Sequence, residues 1–204
     1  MTLKFTLAYD GSLFQGSQKQ PNGMTVEDKL LKAFKKINIE TNIVLSGRTD
    51  KEVHATGQVF NCVVPDFWQD FFKLKDILNK NLPSSIKILR IQKVKDDFHS
   101  RFHAKKRVYR YLITTKPTTP FNNKFITHIK NVDEELLQKA IKEFIGVYDF
   151  KYFHKTGSDK ELTKREIFDA KFYKYKDIYV FNFTANSYLR SQIRLMVGFL
   201  LAIN

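Results

Sequence analysis

Cysteine is almost missing from this chain. Its 204 residues contain one, Cys62, so no internal disulfide can form and a reducing compartment is expected. Cys62 lies in an alternating run, where a buried, inert thiol is expected rather than a nucleophile. Long apolar runs are missing too. The longest, Leu195–Ile203, falls far short of the roughly 18–20 residues a membrane span requires. Asp10 interrupts the first apolar run, so no secretory signal is read and a cytoplasmic protein with no membrane partner is expected. There is no Walker phosphate loop and no Gly-x-Gly-x-x-Gly, so nothing calls for a nucleotide cofactor. His99 and His103 are four apart, but no Cys pair or carboxylate joins them as a third ligand, so no metal site is expected. No Pro/Gly/Ser-rich linker divides the chain, and its two halves, 1–104 and 105–204, are expected to form one structural body.

Acidic residues are scarce in a telling place. Lys and Arg total 35 against 21 Asp and Glu, a net charge of +14, which favours a polyanionic partner. Between Phe98 and Val132 there is no acid at all, while Arg101, Lys105, Lys106, Arg107, Arg110, Lys116, Lys124 and Lys130 fall within it. Phe102, Tyr109 and Tyr111 interleave with these cations. Cations for phosphates and rings for unstacked bases suit RNA.

Along the chain, Leu3–Tyr9 alternates as a half-buried strand, and Thr25-Val-Glu-Asp28 opens a helix with a capping box. That helix sets Val26, Leu30, Leu31, Phe34 and Ile37 on one face. Strands are expected at Asn42–Leu45 and Val59–Val64, a helix over Leu74–Leu82 stopped by Pro83, and a strand over Ile86–Val94. This is a ferredoxin-like βαββαβ order. The second half partly repeats it: a strand Val108–Thr114, then a helix capped by Asn131 and running to Phe144. Its buried face would be Leu136, Leu137, Ala140, Ile141 and Phe144. A hairpin of Ile167–Phe172 and Ile178–Ala185 follows, and a last helix from about Leu189 puts Arg190 and Arg194 on one face. The expected fold class is α+β, two ferredoxin-like halves with side-by-side, mainly antiparallel sheets and a central cleft.

The chemistry-bearing stretch is Ser46-Gly-Arg-Thr-Asp-Lys-Glu-Val-His-Ala-Thr-Gly-Gln-Val59, which packs Arg48, Asp50 and His54 between two strand-like runs. Spacing alone also fits a surface turn with an Arg–Asp ion pair. The stretch closely resembles the active-site signature of the TruA-type tRNA pseudouridine synthases: Gly-Arg-Thr-Asp, then Val-His-Ala, then Gly-Gln-Val. The segment Asp97-Phe98-His-Ser-Arg101 through Arg107-Val-Tyr109-Arg-Tyr111 is a second match. Asn81-Leu-Pro83, Tyr148-Asp149-Phe150, Arg165-Glu-Ile167 and Ala185-Asn186 through Val197-Gly198 follow in order, so the resemblance covers almost the whole chain. Departures are Ser17 where the family usually has Trp, Lys51-Glu52 where small residues are common, and Ser85 in place of Asp.

The resemblance implies an enzyme that isomerises uridine in the tRNA anticodon stem-loop, around tRNA positions 38 to 40, by flipping the base and without a cofactor. It makes Asp50 the essential carboxylate and Arg48 its ion-pair partner. Tyr109 and Tyr111 share a strand face, so spacing does not choose between them; the resemblance picks Tyr109 to stack on the base. His54, Arg107, Arg110, Arg190 and Arg194 are the expected RNA contacts. Whether Asp50 attacks C1′ or takes a ribose proton stays open. The family's habit also implies a homodimer. The apolar ending Leu195–Ile203 suggests a shortened chain whose last helix is covered by a partner subunit. The competing reading is a non-catalytic RNA-binding module of the same fold.

Overall fold

The computed structural model describes residues 1–21, 23–155 and 163–204. They form an α+β protein with two sheets, in two compact units, Met1–Ala104 and Lys105–Asn204.

The first unit runs β1 (Thr2–Tyr9), α1 (Val26–Lys36), β2 (Val44–Leu45), β3 (Ala55–Val63), α2 (Phe71–Asn81) and β4 (Ile86–Lys93). Its sheet has the order β2-β3-β1-β4, with every neighbouring pair antiparallel. This is the ferredoxin-like arrangement. Strict alternation along β1 sends Leu3, Phe5, Leu7 and Tyr9 into the core. Phe5 stacks on Phe60 of β3 at 4.6 Å, and Phe34 of α1 meets Phe5 edge-on at 5.6 Å; such ring pairs add about 0.5–1.5 kcal/mol each beyond area burial. The α1 capping box forms as its sequence predicts. Asp28 N–H donates to Thr25 Oγ1 at 3.2 Å, and Thr25 N–H donates to Asp28 Oδ2 at 3.1 Å.

Boundaries differ from the sequence reading around the signature and at the second helix: the strand expected over Asn42–Leu45 is only Val44–Leu45. The second helix starts at Phe71 because Asp70 caps it, accepting from Lys73 N–H. The strand expected from Val59 begins at Ala55, where Tyr9 pairs with Ala55 past a bulge that adds one residue to β3. Five of the fourteen signature residues, Ala55–Val59, therefore belong to the strand, and the loop proper is Ser46–His54.

The second unit runs β5 (Arg107–Thr114), β6 (Thr127–His128), α3 (Glu134–Ala140), β7 (Gly146–Asp149), β8 (Lys164–Tyr175), β9 (Ile178–Ala185) and α4 (Gln192–Ile203). Its sheet order is β6-β5-β9-β8-β7, and β6 joins β5 in parallel through only two residue pairs. The β8–β9 hairpin falls where predicted. The helix expected from Asn131 is capped instead by Asp133, whose Oδ1 accepts Leu136 N–H at 2.9 Å. It tightens into a 3-10 turn over Ile141–Phe144, and Leu136 is exposed rather than buried. The last helix starts at Gln192, not Leu189, because Ser191 is left-handed at φ 60°. Arg190 thus lies in a turn, and it does not share a helix face with Arg194.

Candidate active site

The signature loop is closed at its neck by two bonds. Ser46 N–H donates to the Val59 carbonyl at 2.8 Å, and the Gln58 side-chain amide donates to the Gly47 carbonyl at 2.6 Å. Inside the neck, Val53 N–H donates to the Asp50 carbonyl at 3.2 Å, making a tight turn in which Glu52 takes φ 66°. Arg48 and Asp50 occupy exposed positions on this loop.

A second set of contacts comes from the end of β1 and the turn after it. The hydroxyls of Tyr9 and Thr49 are 2.7 Å apart. Gly11 N–H donates to His54 Nδ1 at 3.0 Å, and a Cβ on Gly11 would overlap the Val53 carbonyl. Asp10 Oδ1 also lies 3.1 Å from His54 Nδ1, but it already accepts from Ser12 N–H at 2.9 Å and Ser12 Oγ at 2.7 Å. One ring nitrogen cannot accept from Gly11 and donate to Asp10 together. We assign the neutral ring's proton to Nε2, so that Nδ1 accepts from Gly11. His54, expected as an RNA contact, is half-buried and has one ring nitrogen bound up in bracing the loop against the β1 turn.

In the second unit, Arg107, Tyr109, Tyr111 and Ile113 lie on one face of β5, the first three half-buried and Ile113 fully enclosed. Arg110 lies on the opposite face and is exposed. Arg107 Nη1 donates to the Asn186 carbonyl at 2.6 Å, just beyond the end of β9. The Tyr109 ring meets Tyr188 edge-on at 5.1 Å, with the planes at 82°. Tyr188 escaped the sequence reading. It reaches Tyr109 only because β5 pairs with β9, Arg107 opposite Ala185, which brings the residues after β9 alongside. The Tyr188 hydroxyl is buried with no hydrogen-bond partner among the described residues. Burial pushes its pKa well above the usual tyrosine range, and neighbouring Tyr109 adds to the shift. Tyr111 shares a hydrogen bond with Thr127 at 3.0 Å, on β6. Its hydroxyl is therefore bound up within the sheet.

The remaining titratable candidates have structural employment. His103 Nδ1 accepts from His99 N–H, and His99 Nδ1 accepts from Phe102 N–H, both at 3.3 Å. Among the described residues no group of three or more His, Cys, Asp or Glu could hold a metal ion. No helix among them is long and apolar enough to cross a membrane. Cys62 is buried, and burial pushes its thiol up to about 12 against a smaller opposing hydrogen bond from Thr41. It is no nucleophile at neutral pH.

Comparison with known proteins agrees with the signature. A family model described as tRNA pseudouridine synthase matches residues 6–103 and 140–204; Asp50, Arg190 and Arg194 fall inside the match, and Tyr109 falls between its two parts. A tRNA pseudouridine synthase A of Wolinella succinogenes is 40% identical over 202 residues, covering 99% of this chain and 80% of that protein. Its namesake in Campylobacter jejuni is 38% identical over 203 residues, covering 100% of this chain and 85% of that protein. Another, in Streptococcus agalactiae, is 38% identical over 206 residues, covering 98% and 80%. A chain of a Cbf5-Nop10-Gar1 complex superposes with a TM-score of 0.44 at 13% identity, covering 95% of this chain and 44% of that one; a likeness that loose carries no argument. The family match and the full-length relatives together make the chain a member of the tRNA pseudouridine synthase family.

Proposed function

We propose that this protein isomerises uridine to pseudouridine in the anticodon stem-loop of tRNA. The reaction breaks the bond from uracil N1 to ribose C1′, turns the base and rejoins it through C5. N1 gains a proton and C5 loses one, so atoms balance without a redox or group-transfer cofactor. Breaking the N1–C1′ bond leaves positive character on the sugar, which an ionised carboxylate stabilises or captures. Asp50 takes that role, and Arg48, two residues away in the same exposed loop, serves as its ion-pair partner. Flipping the uridine costs a few kcal/mol, which protein contacts must offset; Tyr109 supplies a ring on which the base stacks, and its hydroxyl is assigned to accept the C5 proton once the base has rejoined. Arg110 and the other exposed cations of the acid-free interval, together with Arg190 and Arg194 outside it, supply phosphate contacts, while Arg107 is engaged by the Asn186 carbonyl.

The observation that carries this reading is the pinned loop. An exposed carboxylate stands on a turn closed at its neck and braced by β1, which is how a reactive group is held still for chemistry. Incubation with an unmodified anticodon stem-loop tRNA, followed by base-resolved pseudouridine mapping, tests it. The parent should convert discrete uridines; Asp50→Asn should convert none while binding tRNA as well or slightly better. Tight tRNA binding by the parent without conversion would leave an RNA-binding module instead.

The same proposal extends to a cytoplasmic homodimer. Leu195, Phe199 and Ile203 recur every fourth residue on α4, and each is two-fifths exposed or more. That stripe is the surface we assign to a second copy. Sedimentation of the parent against Phe199→Glu tests it, with a parent monomer at micromolar concentration ruling it out.

A further inference from the structure

Thr49 immediately precedes Asp50, and a residue 32 positions away holds its backbone on both sides. Thr49 N–H donates to Ser17 Oγ at 2.8 Å, and Ser17 N–H donates to the Thr49 carbonyl at 3.1 Å. The Tyr9 hydroxyl takes hold of the Thr49 side chain at 2.7 Å. Ser17 is itself fully enclosed and fixed from behind. Its carbonyl accepts Glu27 N–H at 3.0 Å, and the Gly16 carbonyl accepts Val26 N–H at 3.3 Å. Those two donors open α1, the helix locked by the Thr25–Asp28 capping box. Gly16 makes the turn possible at φ 112°, and a Cβ there would sit 2.9 Å from the Thr49 carbonyl.

We propose that Ser17 is the positioning residue for Asp50, transmitting the rigidity of α1 to the Thr49–Asp50 peptide. The inference rests on the reading of Asp50 as the carboxylate that acts on the uridine. A reciprocal pair of hydrogen bonds fixes both the distance and the rotation of the peptide it holds, as a ladder pair does in a sheet. Asp50 sits at an exposed position directly after that clamp, so its carboxylate has one anchored end. A serine is suited to this because one small residue provides the backbone donor and the side-chain acceptor within an enclosed space. A larger hydrophobic residue at position 17 would leave Thr49 N–H to find another acceptor.

The test is steady-state kinetics on tRNA for the parent, Ser17→Ala, Ser17→Thr and Tyr9→Phe, with kcat counted per molecule competent to bind tRNA and thermal unfolding measured alongside. Misplacing a reactive group by about an ångström costs on the order of 100-fold. Ser17→Ala should therefore lower kcat at least about tenfold and leave KM within about twofold. Ser17→Thr, which returns the hydroxyl, should recover most of the loss. Tyr9→Phe leaves the backbone clamp whole and should cost less. If Ser17→Ala does not fold, Ser17→Cys, which keeps the size but replaces the oxygen by a weak acceptor, should show the same loss of kcat, and parental kcat there would overturn the proposal. A kcat for Ser17→Ala within twofold of the parent, a change confined to KM, or equal losses for Ser17→Ala and Ser17→Thr would each overturn it. If the parent itself forms no pseudouridine, the reading of Asp50 fails and takes this inference with it.

Discussion

Gly11 and Val53 meet backbone to backbone, so closely that no side chain fits between them: a Cβ on Gly11 would overlap the Val53 carbonyl. The same Gly11 donates its N–H to His54, so a single residue after β1 braces the far side of the signature loop. Gly11→Ala should force that contact apart at a cost of about 1–3 kcal/mol. Urea unfolding should show the loss, and pseudouridine formation should fall further than the folded fraction alone explains. A variant as stable and active as the parent would mean the loop does not need this brace.

Glu52 carries the opposite expectation. It occupies the third position of the Asp50–Val53 turn at φ 66°, where an L side chain costs roughly 1–2 kcal/mol. Glycine relieves that strain and gives back roughly 0.5–1 kcal/mol in unfolded-chain entropy. Glu52→Gly should thus be neutral to slightly stabilising, by up to about 1 kcal/mol, while a β-branched Glu52→Val should be clearly destabilising. Thermal melts of the two variants decide it, and a lower melting temperature for Glu52→Gly than for Glu52→Val would refute the turn assignment.

Much of this architecture was legible because local rules and global fold agree in the first unit. Alternation in Leu3–Tyr9 and the Thr25–Asp28 box predict β1 and α1, and the sheet forms on them. What escaped depended on contacts far apart in sequence or on a single dihedral. β6 is two residues long and exists only by pairing with β5. Arg190 and Arg194 look helical until Ser191 turns left-handed between them. Ser17 reads as a mere departure from a family pattern, and its hold on Thr49 exists only after folding. The signature placed Asp50 on a loop between strands, but no periodicity could show that β1 braces that loop.

Arg107 and Arg110, indistinguishable as members of one basic run, should now behave differently. Arg107 is half-buried and bonded to the Asn186 carbonyl; Arg110 is exposed on the other face of β5. Arg110→Gln should flatten the slope of log tRNA affinity against log salt by roughly 0.7–0.9, the share of one phosphate contact, and leave the melting temperature alone. Arg107→Gln should lower the melting temperature, since a carbonyl loses a charged donor worth about 1.5–3 kcal/mol. An unchanged salt slope for Arg110→Gln would remove it from the RNA surface.

Cys62 sets a prediction at high pH. Burial raises its thiol from 9.0 to about 12, so the folded state favours the neutral form. Below pH 9 the unfolded thiol is also neutral, and this group leaves stability unchanged with pH. Above that, the unfolded thiol ionises while the folded one does not, and stability falls as pH rises toward about 12. Cys62→Ala should remove that part of the alkaline loss. In the folded parent at pH 8 the thiol should resist alkylation, and rapid labelling under native conditions would contradict its burial.

Tyr109 and Tyr188 separate a hydroxyl that works from one that does not. Tyr109→Phe keeps the ring, so base stacking of about 1–3 kcal/mol survives; it removes the hydroxyl we assign to accept the C5 proton. Tritium release from C5-labelled tRNA should slow while tRNA affinity holds. Tyr188→Phe also keeps its ring, and with it the edge-on support of Tyr109 at 5.1 Å. Its hydroxyl is buried without a partner among the described residues, and an unmet polar group of that kind costs about 1–3 kcal/mol. Tyr188→Phe should therefore unfold at higher denaturant than the parent and release tritium at the parental rate. If instead Tyr188→Phe slows release and Tyr109→Phe does not, the proton acceptor is the buried hydroxyl and the roles of the two rings exchange.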